Sequence, residues 1–240
     1  MLIKDDVLYA ISNNDIVHGQ VVVPNGVTKI AEKCFENFSN IENIILPSSL
    51  IEIDDHAFAK CKNLVSINFP SNLKVIGKEA FLSCENLTKI DLPDSVEKIG
   101  LGCFSYNKSV KSIHLSANLK NIPTNSFSNI KKLEELYIPK KIETISDYAF
   151  TGCFELKSIK FEEGLKSIGT SAFSHCTSLK NFYFPDSVEN ISDSAFLGCT
   201  DITSVALPKK LKTVSSYLFS GCENLKEITL PENIETISEG

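Results

Sequence analysis

The chain has 240 residues, 42% of them hydrophobic and 22% charged, with a net charge of −6 and a mean hydropathy near zero. That balance fits a folded chain and excludes disorder; no apolar run approaches the roughly 20 residues that a membrane-spanning helix needs. All 24 basic side chains counted are lysine, and an acidic chain without the bidentate arginine fork is a poor match for nucleic acid.

The opening segment, Met1-Leu-Ile-Lys-Asp-Asp6, lacks the long apolar core of a signal peptide, which leaves an intracellular chain or a piece of a longer one. Val7–Ile11, the polar Ser12–Asp15, Ile16-Val17 and Val21–Val23 read as short strands around a polar turn. Residues 1–20 are therefore expected to form a hairpin that caps or starts the remainder of the fold.

From residue 21 to 240 the chain repeats. Phenylalanine recurs every 23 residues, at Phe35, Phe58, Phe81, Phe104, Phe127, Phe150, Phe173, Phe196 and Phe219. An unbroken period of this length marks a solenoid whose coils bury their apolar sides only by stacking. Nine residues after each phenylalanine stands an apolar residue (Ile44, Ile67, Ile90 and so on to Ile228), and eleven after stands another (Leu46, Phe69, Leu92 and so on to Leu230). A spacing of two is strand alternation with both side chains inward. Proline follows at once in most coils, as at Pro47, Pro93 and Pro185, and ends the strand because it lacks the N–H. Two more apolar rows follow, such as Leu50 and Ile53, before a turn back to a small residue and the next phenylalanine. The expectation is an α/β-type solenoid of about nine coils: one parallel sheet on one face, short helical or 3-10 turns or irregular segments on the other. The next phenylalanine would fall past Gly240, so the last coil is incomplete; that predicts a longer natural protein and an uncapped end able to associate end to end with another copy.

Six of the eight cysteines, Cys61, Cys84, Cys153, Cys176, Cys199 and Cys222, follow the phenylalanine by three; Cys34 and Cys103 take the small-residue position before it. Equivalent side chains on adjacent coils lie about 4.8 Å apart, whereas a disulfide needs Cβ atoms near 3.8 Å. Clustered ligands such as C-x-x-C are missing. These cysteines read as small buried hydrophobes.

His18, His56, His114 and His175 lie in no metal or catalytic motif, and nucleophile elbows and phosphate loops are missing. Asp54-Asp55 and Glu162-Glu163 read as loop charge. The chain is expected to be no enzyme and to hold no cofactor or metal.

The candidate site lies on the strand. Residues eight and ten after the phenylalanine point away from the core, and in the middle coils they bring His114, Tyr137, Lys160 and Tyr183 onto one open face with Glu135 and Asn181. Tyrosine combines large contact area with a polar tip, as interfaces require. The same middle coils depart most from the repeat: Ser116 and Glu162 replace proline, Asn107 and Ile130 replace cysteine, Ser126 replaces alanine. Relaxed packing and a specialised patch both account for this.

The coil Leu87-Thr-Lys-Ile-Asp-Leu-Pro-Asp-Ser-Val-Glu-Lys-Ile-Gly100, preceded by Ala80-Phe-Leu-Ser-Cys84, closely resembles the 23-residue leucine-rich repeat of BspA-like surface proteins, as does Ala195-Phe-Leu-Gly-Cys199 with the residues after it. The resemblance implies a right-handed leucine-rich-repeat arc with the sheet on its concave face. It also implies a secreted or cell-surface location, adhesion to a host or matrix protein, and no shared catalytic residue. A cytoplasmic chain, or a structural spacer with no ligand of its own, is the alternative.

Overall fold

The structure is a computed structural model covering residues 1–240; the side chain of Asn181 lies outside the described residues. Successive 23-residue coils stack with equivalent positions paired. The strand expected from the period-2 pattern forms a row: Gln20–Val22, Asn43–Ile45, Ser66–Ile67, Lys89–Asp91, Ser112–His114, Glu135–Ile138, Ser158–Phe161, Asn181–Tyr183, Ser204–Ala206 and Glu227–Thr229. Pairing is parallel, with Leu136 beside Ile159 and Ile159 beside Phe182. This long-strand row is interrupted in three places, one of them between Ser112–His114 and Glu135–Ile138.

A second row of parallel strands was not expected. It consists of two-residue strands such as Glu52–Ile53, Val75–Ile76 and Lys98–Ile99, paired coil to coil. Each contributes one inward aliphatic, and Ile53, Ile76, Ile99, Ile122, Ile145 and Ile168 are all buried. The single parallel sheet is thus corrected to two rows of parallel strands, each divided into shorter sheets. A strand with only one inward residue carries no alternation to detect.

Of the expected helical turns or irregular segments, the coils hold the irregular kind. Among the described residues the only helix is a 3-10 turn at Asn13–Asp15, ahead of the stack. Around each phenylalanine the backbone instead alternates in hand. Residues two before and two after it have positive φ: His56 (54°) and Lys60 (60°), Asn125 (58°) and Asn129 (59°), Tyr148 (57°) and Gly152 (70°). Alternation turns every second peptide along the stack. The N–H groups of Phe35, Phe58, Phe81, Phe104, Phe127, Phe150 and Phe173 donate to the carbonyl before the next phenylalanine at 2.7 to 2.9 Å. Left-handed residues donate the same way, as His56 does to Lys78 (2.8 Å) and Lys60 to Leu82 (2.7 Å). The N–H groups between them bond back within the turn, Ala59 to His56 at 3.0 Å. Each left-handed non-glycine residue costs about 1–2 kcal/mol, which these bonds between coils offset.

Coils approach closely beside this turn. At Gly100 a Cβ would stand 2.3 Å from the backbone nitrogen of Lys78, so no larger residue fits. Inside, the phenylalanines form one continuous column with ring centroids 4.7 to 5.7 Å apart and planes within 22° of parallel. Those from Phe35 to Phe196 are wholly buried. Leu2–Lys4 and Val7–Ala10 form an antiparallel hairpin, and the second of these strands continues the short row onto Lys29–Ile30. At the other end Ile228, Leu230 and Ile237 are exposed.

Candidate functional site

No group of acidic, histidine or cysteine side chains among the described residues could hold a metal, and all eight cysteines are free and buried. Their thiols have a structural task. Cys61, Cys84, Cys153, Cys176, Cys199 and Cys222 each donate from Sγ to the phenylalanine carbonyl of the preceding coil, at 3.0 to 3.4 Å. Burial pushes the Cys61 thiol up to about 12 and Cys84 well above its ordinary value, which keeps both as protonated donors.

Asn107 and Ile130 interrupt this column together. Asn107 Nδ2 donates to the Phe81 carbonyl (3.0 Å), as a cysteine there would, and also to the Phe104 carbonyl (2.8 Å). The Phe104 carbonyl is the one that residue 130 would serve, and isoleucine has no donor. One amide therefore does the work of two thiols. Its own Oδ1 is buried and has no partner among the described residues. Two other departures, Ser116 and Ser126, are internal too. Buried Ser116 donates to the Val96 carbonyl (2.6 Å) and accepts from the Asn118 N–H (3.1 Å), while Ser126 donates to the Pro123 carbonyl (2.7 Å). These three positions are packing solutions, not a patch on the surface.

The outer side of the long strands is the open face. His114, Glu135, Tyr137, Lys160 and Tyr183 are exposed on it; the Asn181 side chain, also expected there, lies outside the described residues. Glu135 pairs with Ser158 in the ladder and Tyr137 with Lys160, which pairs in turn with Tyr183. The residues are not equivalent. Lys160 Nζ sits 5.2 Å from the Tyr137 ring centroid and 2.8 Å from Glu162. The hydrogen bond to Glu162, then its charge, raises the lysine, and Lys160 lowers Glu162 by the same interaction. Tyr137 is thus held in a cation–π contact. Tyr183 stands free at 85% exposure, against 45% for Tyr137. Glu162, the departure from proline, belongs to this surface cluster. His114 lies across the interruption from Tyr137. A shallow groove of about 630 Å³ crosses here, lined by Lys111, Glu134, Glu135, Tyr137, Ser158 and Lys160.

One surface signal went unread in the sequence. On successive coils Lys74, Glu97, Lys120, Glu143, Lys166, Glu189, Lys212 and Glu235 alternate in sign. Several pair directly, Lys166 with Glu143 and Lys212 with Glu235 at 2.7 Å. A second groove near Glu189, Lys210 and Lys212 lies in this column. There Lys210 and Glu189 already approach to 3.5 Å, so it has little unmet charge for a partner.

A family model described as the BspA type leucine rich repeat region matches residues 28–157 and 120–240, in six copies. Among solved structures, the chain is similar to a leucine-rich repeat protein from Bacteroides ovatus, with 31% identity and a TM-score of 0.78, covering 92% of this chain and 62% of that one. A leucine-rich repeat protein from Eubacterium ventriosum shares the fold at 22% identity and a TM-score of 0.60, covering 92% of this chain and 81% of that one. The pneumococcal vaccine antigen PcpA does so at 21% identity and 0.52, covering 96% and 77%. Among curated proteins no sequence matches. No helix among the described residues is long and apolar enough to cross a membrane. Solenoids of this kind are generally non-catalytic scaffolds for protein interaction or structural repetition. With matched coils spanning residues 28–240, this chain belongs to the BspA-type leucine-rich repeat family.

Proposed function

We propose that the chain is a non-catalytic protein-binding module whose long-strand face, taken as the concave side of a right-handed arc, holds a protein ligand. The contact centres on His114, Tyr137, Lys160 and Tyr183, with Glu135 and Asn181 beside them. The observation that carries this reading is Tyr183, a large aromatic left 85% exposed on the long-strand row, two coils from a second, fixed tyrosine with Lys160 between them. Exposed aromatics clustered on a rigid strand face are what interface anchors look like before a partner covers them. In its finer form the protein is a cell-surface adhesin and the ligand a host or matrix protein; family membership supports that form.

The test is retention of a ligand from serum and matrix extracts by the native chain, compared with the Tyr137→Ala/Tyr183→Ala variant. A species held by the first and lost by the second is the expected outcome; equal retention by both would sink the reading. A second reading, a spacer or assembly repeat with no ligand of its own, is favoured by the regular coil-to-coil pairing of both strand rows. Light scattering that shows mass rising with concentration would favour it.

A further inference from the structure

We propose that the ligand segment bound by this face is an acidic peptide that runs across the coils of Phe104, Phe127, Phe150 and Phe173 and places an apolar or aromatic residue against Tyr183. The proposal rests on the reading of the long-strand face as the binding surface and adds the chemistry of the partner.

The charge distribution carries it. Between Lys108 and Lys141 stand seven lysines and two glutamates, in a chain whose net charge is −6, and among the described residues only Lys108 of these lysines meets a carboxylate, Glu85 at 3.0 Å. Elsewhere lysines commonly meet a carboxylate one coil away, as Lys29 meets Glu52 at 3.0 Å and Lys209 meets Asp186 at 2.7 Å. In this stretch the supply fails. Glu134 is taken by Lys157 at 2.6 Å, and Lys111, Lys132 and Lys140 have no ion pair among the described residues. Lys111 lines the groove. Lys132 precedes the strand Glu135–Ile138 and Lys140 follows it, both exposed.

Pattern narrows the partner further. Glu134 and Glu135 line the same groove. A uniform polyanion, whether nucleic acid, acidic polysaccharide or an anionic membrane, would bring charge against them. A peptide can space its carboxylates toward the lysines and present other groups to the glutamates. Lysine also suits single carboxylates, as a compact charge on a flexible stem, whereas planar bidentate recognition calls for arginine. Length follows from the repeat: His114 and Tyr183 are three coils apart, about 14 Å at 4.8 Å per coil, which about four or five extended residues span.

The probe is an array of synthetic peptides of about eight residues. Each carries two Asp or Glu ahead of Leu, Phe or Tyr, and is matched with a peptide in which Asn or Gln replaces the acids. Both sets are titrated against the native chain, Lys111→Gln/Lys140→Gln and Tyr183→Ala. All of these substitutions are on exposed side chains, and a thermal melt verifies the fold of each variant. Acidic peptides should bind at least about tenfold more tightly than their amides, and lose about tenfold on Lys111→Gln/Lys140→Gln. Binding should also weaken as salt rises from about 50 to about 300 mM. Equal binding of acid and amide peptides, still lost on Tyr183→Ala, would overturn the acidic partner and leave the binding face standing. Tighter capture of heparin or duplex DNA, or no binding by any acidic peptide, would overturn the proposal outright.

Discussion

The phenylalanine column and the long-strand face lie in the same coils and obey opposite rules. Inside, one residue type repeats without exception, and where a neighbouring position departs, as at Asn107 and Ile130, a second residue supplies the lost hydrogen bond. Outside, positions on the same ladder pass from Asp91 through His114, Tyr137 and Lys160 to Tyr183 with no rule of succession. The difference teaches where each constraint acts. An inward residue answers to both the coil before and the coil after, so a change is felt twice. An outward one answers to solvent, to whatever docks on it and, where side chains meet as Lys160 and Tyr137 do, to a neighbour it can release at little cost.

Substitutions should separate the two regions by size of effect. Phe127→Ala is expected to destabilise by about 3–5 kcal/mol through the cavity left between Phe104 and Phe150, measured by denaturant unfolding; a loss below about 1 kcal/mol would mean the column is not the main support. Asn107→Ala strips a donor from two buried carbonyls and should cost about 2–4 kcal/mol. The sharper form is a cycle: Asn107→Cys alone should be destabilising, and Ile130→Cys added to it should restore most of the loss. Additive effects would show that the two sites are not exchanging hydrogen bonds.

Buried thiols give a smaller, pH-dependent signature. Burial raises Cys61 from its ordinary 9.0 to about 12, so the folded state holds the proton more tightly than the unfolded one. The contribution is fully present below pH 9 and is lost as pH climbs towards 12. Melting temperature should fall over that window, less steeply in Cys61→Ala, and an unchanged slope would contradict the assignment. Least of all, Tyr183→Ala should leave stability within about 0.5 kcal/mol while removing ligand retention. A marked drop in melting temperature there would move Tyr183 from the contact face to the fold.

Much of this division is legible in the sequence. Both inward rows of the long strand and its outward row follow from period-2 alternation hung on the phenylalanine, and the exposures of His114, Tyr137, Lys160 and Tyr183 agree with it. Three features are hidden for physical reasons. Two-residue strands such as Val75–Ile76 are too short to alternate. The left-handed positions flanking the phenylalanine are filled in some coils by glycine or asparagine, as at Gly102 and Asn129, but in others by Lys33, Glu79 or Tyr148, whose type gives no hint of that conformation. The exchange between Asn107 and Ile130 looks in sequence like two separate losses of cysteine, because donor and acceptor belong to different coils. Tyr137 and Tyr183 look alike in sequence, and only the placement of Lys160 and Glu162 tells them apart.

The hydrogen bonds around the phenylalanines all run one way. Each turn's outward N–H groups are met by the coil that follows it and never by the one before. At these turns one end of the stack therefore presents acceptors and the other donors, while the short strands run the opposite way, Ile51 donating back to Thr28 and Gly77 to Ile53. During synthesis, which proceeds from the N-terminus, every finished coil meets the emerging polypeptide with unsatisfied turn amides and short-strand carbonyls together, so each coil is completed only by the one made after it.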